Sequence, residues 1–148
     1  MTQGKDGSWA VILVLILFIM IPIGWLFIAY TAEPYHVVSG EPLREAAQAA
    51  GITVVNATDT TWPIGGAVGG KTYTLSDENG NIYTIQTQAF DSAGSRDAAV
   101  LVYNSQSIGR GKPVGKLIVI GNYLVYIQPY TSGILKKIAP ELKKLQAT

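Results

Sequence analysis

The chain has 148 residues, no cysteine and a formal net charge of +1. The lack of cysteine excludes disulfides, thiolate metal sites and a cysteine nucleophile. Beyond the first 31 residues about 117 remain, which suits one compact domain and is too few for two. The small net charge conceals a split. Residues 32–97 carry eight acidic and three basic side chains (−5), and residues 98–148 carry seven basic and one acidic (+6). Such a split favours oriented contact with a charged partner or surface, unless the two halves neutralise each other within the fold.

The run Trp9 to Tyr30 reads WAVILVLILFIMIPIGWLFIAY and holds no charge. As a helix rising about 1.5 Å per residue it reaches about 33 Å, enough to cross a hydrocarbon core. In lipid the backbone must satisfy itself, which dictates a helix. Trp9 at one end and Trp25 with Tyr30 near the other match interfacial belts, and Pro22 with Gly24 predicts a kink. The apolar run is longer than a cleaved leader's core, and its exit, Ala29-Tyr30-Thr31-Ala32, is a poor cleavage site. The expectation is therefore a short tail at 1–8, a single-pass signal anchor at 9–31 and a juxtamembrane linker at 32–38. Residues 39–148 follow as one domain. Lys5 and the α-amino group on the short side, against an acidic far flank, place the N-terminus in the cytoplasm and the domain outside. The sequon Asn56-Ala57-Thr58 agrees and makes Asn56 a candidate glycosylation site.

Ser39-Gly40-Glu41-Pro42 predicts a helix start with a capping serine, and Gly51 its end. Ile52–Val55 reads as a strand, and residues 56–70 as a loop rich in Thr, Gly and Pro. Tyr73–Leu75 and Ile82–Ile85 alternate around Asp77-Glu78-Asn79-Gly80, a hairpin signal. Asp91–Tyr103 reads as a helix capped by Asp91 or Ser92. After the basic glycine loop 109–113, Lys116–Ile120 and Tyr123–Ile127 flank Gly121-Asn122, and their near-continuous apolar runs predict two central strands. Ile134, Leu135, Ile138, Leu142 and Leu145 share one face of a last helix, restarted or kinked at Pro140. The fold class is α+β: helices packed on an antiparallel sheet, in the order αβ-ββ-α-ββ-α.

Gly65-Gly66-Ala67-Val68-Gly69-Gly70-Lys71-Thr72 spells the phosphate-loop pattern GxxxxGK[ST]. That chemistry needs glycines that let amides approach phosphate, a lysine on the outer phosphates and a hydroxyl on magnesium. It also needs a strand before the loop and a helix start after it. Trp62-Pro63 precedes this segment and a strand pattern comes after it, so Gly65, Gly70, Lys71 and Thr72 read as a chance match in a flexible linker. No cofactor is expected. His36 is the single histidine and reads as an interfacial linker residue, so no metal site is expected. Ser92, Ser95, Asp91 and Asp97 lie near one another, but no base accompanies them, and helix capping accounts for them better.

Candidate contact residues are Trp62, the loop residues Arg110 and Lys112, and the lysines Lys136, Lys137, Lys143 and Lys144. These lysines recur every seventh residue on one face and suit either solvent or an anionic surface. Basic residues are too little interleaved with aromatics for nucleic acid. The functional expectation is a non-catalytic, membrane-anchored protein whose extracytoplasmic domain binds a partner protein or envelope component. The alternatives are a ligand-sensing or solute-binding domain and, less favoured, an envelope hydrolase using Asp91 and Asp97.

Overall fold

A computed structural model describes residues 33–109, 115–128 and 133–146. The expected tail and anchor at 1–31 and the loop residues Arg110 and Lys112 lie outside these. Among the described residues no helix is long and apolar enough to cross a membrane.

The elements are α1 (Pro42–Ala49), β1 (Thr53–Asp59), β2 (Ala67–Ser76), β3 (Ile82–Phe90), α2 (Ala93–Gly109), β4 (Lys116–Ile120), β5 (Tyr123–Gln128) and α3 (Gly133–Gln146). The fold is α+β, with one antiparallel sheet of five strands in the order β1-β2-β3-β5-β4. Helices α1 and α3 cover one face, where Leu43, Ala47, Ile138 and Leu142 pack on Tyr73, Leu75, Ile85 and Ile127. On the other face Ala99 of α2 sits over Phe90 and Leu124. Because side chains alternate along a strand, β4 and β5 supply both layers: Leu117, Val119 and Leu124 to one, Ile118, Ile120 and Val125 to the other.

Several local expectations are corrected. The strand expected at 52–55 runs to Asp59, and the loop expected at 56–70 contributes the end of β1 and the start of β2. Asn56, Asp59 and the glycines have poor strand propensity, but cross-strand pairing of Ala57, Thr58 and Asp59 with Tyr73, Thr72 and Lys71 overrides it. Helix α1 begins without a side-chain cap; Glu41 occupies the cap position, and its carboxylate is engaged by Arg44 and Lys71. Helix α2 extends to Gly109, and at its start Ser95 N donates to Ser92 Oγ at 3.3 Å. Only β5 of the last hairpin is interior. β4 is an edge strand, apolar because both its faces lie against helices. Helix α3 runs through Pro140 without a break; that residue is exposed, where water meets the carbonyl left without its amide partner.

The segment expected to be a linker is stitched to the domain from Glu33 onward. Arg96 is 1% exposed. Its guanidinium donates to the carbonyl oxygens of Gly121, Glu33 (2.8 Å) and Pro34 (3.4 Å). It also pairs with the Asp97 carboxylate at 2.8 Å and lies 5.5 Å from the Tyr35 ring centroid. Tyr35 OH donates to Phe90 O, and Val38 N to Asn122 Oδ1 at 2.8 Å. Gly121 has φ +53 and no room for a Cβ, which would stand 2.6 Å from His36 O.

Asp77 closes the β2–β3 turn. Its carboxylate accepts from the amides of Asn79 and Asn81, from Asn81 Nδ2 and from Tyr83 OH. The Asn81 side-chain bond leads the contacts that take its pKa from 3.8 to about 2.

Two outcomes are expected. Arg96→Met strips donors from the carbonyls of Glu33, Pro34 and Gly121 and lowers stability by about 3 kcal/mol, at about 1–3 kcal/mol for each buried group left unpaired. The Val38 amide then exchanges with deuterium much faster than that of Ile85, and an unchanged denaturation midpoint would contradict this. For Asp77, the folded pKa is depressed, so its contribution is complete above the unfolded value of 3.8 and fades as pH falls towards about 2,. Thermal melts of wild type and Asp77→Ala should therefore differ at pH 6 and converge across that window.

Candidate functional site

The chain between β1 and β2 carries Trp62 on a short loop fastened from below by Gln88, which is 0% exposed. Gln88 Oε1 accepts the Trp62 amide at 2.7 Å, and Nε2 donates to Gly69 O at 2.6 Å and Ala89 O at 2.9 Å. Both amide hydrogens and one oxygen lone pair are thus in use. Close packing of this loop accounts for two of the glycines in the phosphate-loop spelling, Gly66 and Gly70, while Gly65 and Gly69 face open space. A Cβ on Gly70 would stand 2.4 Å from Thr87 O and 2.6 Å from Thr60 O, and Gly66, at φ +79, would meet Ser95 Oγ at 2.2 Å. The segment is not a flexible linker. From Ala67 it is strand, paired with β3 on one side and, from Lys71, with β1 on the other. Beyond Thr72 the chain continues as β2 to Ser76, so no helix N-terminus is aimed at a phosphate position.

Lys71 lies in a hollow of about 430 Å³ that also contains Glu41, Asp59 and Tyr73. Its Nζ is 2.9 Å from Asp59 Oδ1 and 3.2 Å from Glu41 Oε1. The Asp59 hydrogen bond foremost, then that from Glu41, raises the Lys71 pKa. The Arg44 hydrogen bond, opposed by desolvation, lowers that of Glu41. Burial foremost pushes the Tyr73 phenol up to about 12. Two cations and two carboxylates cancel here, which leaves no surplus positive charge for an anion.

A different hollow, about 330 Å³, opens between α2 and the sheet, and Trp62, Gln86, Tyr103, Gln106, Leu117 and Tyr126 form much of its wall. A second of about 330 Å³ continues from it along the sheet, sharing Gln86 and Tyr126 and adding Thr84 and Gln128. Among the described residues neither wall contains an acidic, basic or histidine side chain. Tyr103 and Tyr126 meet edge to face, with centroids 5.8 Å apart and planes at 69°, and Tyr103 OH donates to Gly115 O. These contacts hold the aromatic rings in place, so the groove is built rather than a gap between loose side chains.

Of the residues singled out from sequence, Trp62 is at this groove. Lys136, Lys137, Lys143 and Lys144 are exposed on α3, opposite its buried stripe of Ile134, Ile138 and Leu142. Lys137 pairs with Glu78 and Lys144 with Glu141, each at 2.7 Å; the former joins the acidic and basic halves of the chain. Asn56 is exposed on β1. Asp91 accepts from Ser92 Oγ while Asp97 pairs with Arg96, so the two carboxylates serve separate neighbours. His36 is held beside Gly121, and its Nε2 is buried with no hydrogen-bond partner among the described residues. Among the described residues no cluster of three or more His, Cys, Asp or Glu could hold a metal ion. Gln86, Gln88, Tyr103 and Tyr126 were not anticipated. The signal available was the pair of glutamines at alternate positions of Ile85-Gln86-Thr87-Gln88-Ala89-Phe90, which puts both on one face of the sheet,. Comparison with family models, curated proteins and solved structures finds no match to this chain.

Gln88→Met is expected to leave the Trp62 amide without its acceptor and to remove the side-chain donor from Gly69 O and Ala89 O, to cost about 2 kcal/mol and to loosen the loop. Of the three tryptophans, Trp9 and Trp25 can be replaced by Phe so that emission reports Trp62 alone. A red shift in the Gln88→Met variant is the expected result, and an unmoved spectrum counts against the fastening role.

Proposed function

We propose that this chain is a non-catalytic, single-pass membrane protein, anchored by residues 9–31 with its N-terminus in the cytoplasm. Its domain binds a component of the cell envelope, or a partner protein there, through the groove walled by Trp62, Gln86, Tyr103 and Tyr126. The groove carries this reading. Its wall joins rigid aromatic surface to a few hydrogen-bonding side chains, the usual composition of a recognition site. Among the described residues it holds no carboxylate, imidazole or amine to take up or deliver a proton, which speaks for recognition over turnover. The charge-free run from Trp9 to Tyr30 supports the anchor,.

The test places a photoreactive phenylalanine analogue at Trp62 or Gln106 in the full chain, with Lys143 on α3 as the comparison site. In intact cells, covalent adducts are expected at the two groove positions and not at Lys143. The chain should resist alkaline extraction from membranes, and externally added protease should remove the domain. Adducts absent from the groove overturn the site. Release by alkali, or a domain protected from the protease, overturns the anchor or its orientation.

A further inference from the structure

The groove continues onto a sheet face of unusual chemistry. Helix α2 covers β4, β5 and one end of β3, and no described helix covers the same face of β1 and β2. Strand register sets out what this face presents. One row runs Thr58, Thr72, Gln86, Tyr126, Leu117 across all five strands. The next runs Asn56, Thr74, Thr84, Gln128, and the last Thr53, Ser76, Ile82. The strands stand about 4.8 Å apart, so hydroxyls and amides recur as closely spaced ridges. No charged residue belongs to these rows. The ionised residues of β1 and β2, Asp59 and Lys71, occur one residue out of phase with Thr58 and Thr72 and point to the opposite face, where they pair with each other.

We infer that this face and the aromatic groove form one track for an uncharged oligosaccharide chain. The inference rests on the groove's proposed role in binding and names its ligand class. Sugar hydroxyls both donate and accept, as do the hydroxyls of Thr and Ser and the side-chain amides of Asn and Gln that make up most of the rows. Sugar rings also present C–H faces, which pack on aromatic surfaces such as those of Trp62 and Tyr126. Other ligand classes fit less well. Among the described residues an anion finds no cation in the wall, and a cation no carboxylate. A lipid tail would bury the amides of Gln86, Gln106 and Gln128 without replacing their hydrogen bonds to water. An extended peptide binds a sheet through free backbone groups at an edge, whereas β2, β3 and β5, which carry the middle of the track, have theirs committed to ladders with both neighbours, and the edge strands β1 and β4 only bound it.

The test uses the full chain from a host that does not N-glycosylate, in a zwitterionic detergent free of sugar, with Trp9→Phe and Trp25→Phe so that Trp62 is the sole reporter. The probes are linear oligomers of glucose, mannose and N-acetylglucosamine, with a polygalacturonate oligomer of equal length as the anionic comparison. At least one neutral oligomer should shift Trp62 emission saturably, and the anionic one should bind about tenfold more weakly or not at all. By calorimetry, Trp62→Ala should weaken the neutral oligomer by about tenfold. Thr84→Glu, a substitution on exposed surface that leaves the core untouched, should weaken it too. Failure of every neutral oligomer to bind overturns the inference, as does equal binding of the anion or indifference to both substitutions. Groove adducts to a protein in cells, with no oligosaccharide bound, overturn the ligand class while leaving the groove as the contact site. A lack of groove adducts overturns the groove's role in binding itself.

Discussion

The buried guanidinium of Arg96 fixes the arrangement on which the groove depends. It projects from α2 and reaches the Gly121 carbonyl at the β4–β5 turn and the carbonyls of Glu33 and Pro34 in the entering chain. One side chain thereby locks three separate pieces of backbone to one another. A lysine has the charge but not the planar fork of donors that such an arrangement uses. Taking a cation out of water is costly unless its hydrogen bonds are satisfied. Here Asp97 supplies the countercharge and the carbonyls accept the remaining donors, so the buried charge favours one placement of α2 over near alternatives. That placement sets the distance between Tyr103 on the helix and Tyr126 on the sheet, and with it the groove.

The same contacts alter how the entering segment is understood. Residues 33–38 look like a linker because they lie between the expected anchor and the expected start of the first helix. They are extended and pinned by Arg96, by Phe90 O and by Asn122 Oδ1. No spacing rule reveals this, since partners more than fifty residues away in sequence hold the segment. The α+β class and the two hairpins were legible because periodicity and turn residues are local signals. The edge position of β4 was not, because a strand covered on both faces by helices is as apolar as an interior one. Trp62 stood out from sequence as a large aromatic in a polar loop. Its neighbours in the groove come from β3, α2 and β5, and only the sheet order brings them together.

The phosphate-loop spelling shows the same limit from the other direction. Glycines that let a backbone approach phosphate also let it approach another backbone, and the letters do not distinguish the two. Here Gly70 is pressed against the carbonyls of Thr60 and Thr87, and Lys71 is neutralised by Asp59 and Glu41. The charge split between the chain's halves is likewise only partly resolved inside the fold. Lys137–Glu78 crosses between the halves, while Arg44–Glu41, Lys71–Asp59 and Lys144–Glu141 stay within one.

Sorting of charged from uncharged residues in the sheet comes down to two irregularities. The β1–β2 register shifts between Val54 and Asn56, and the β2–β3 register between Ala67 and Gly69. Because side chains alternate, a shift of one residue sends every later side chain to the opposite face. Without the first bulge, Asn56 would be driven towards the core opposite Tyr73, and Asp59 would be turned onto the open face opposite Gly70. With it, Ala57 packs inward, Asp59 meets Lys71, and Asn56 and Thr58 join the uncharged rows. The residues between the shifted pairs, Val55 and Val68, are left 58% and 62% exposed. These outward valines are the cost of keeping charge off the open face. The bulge also places the sequon asparagine on that face. A glycan attached at Asn56 would lie across the proposed track, so the two uses of the surface exclude each other in any one molecule.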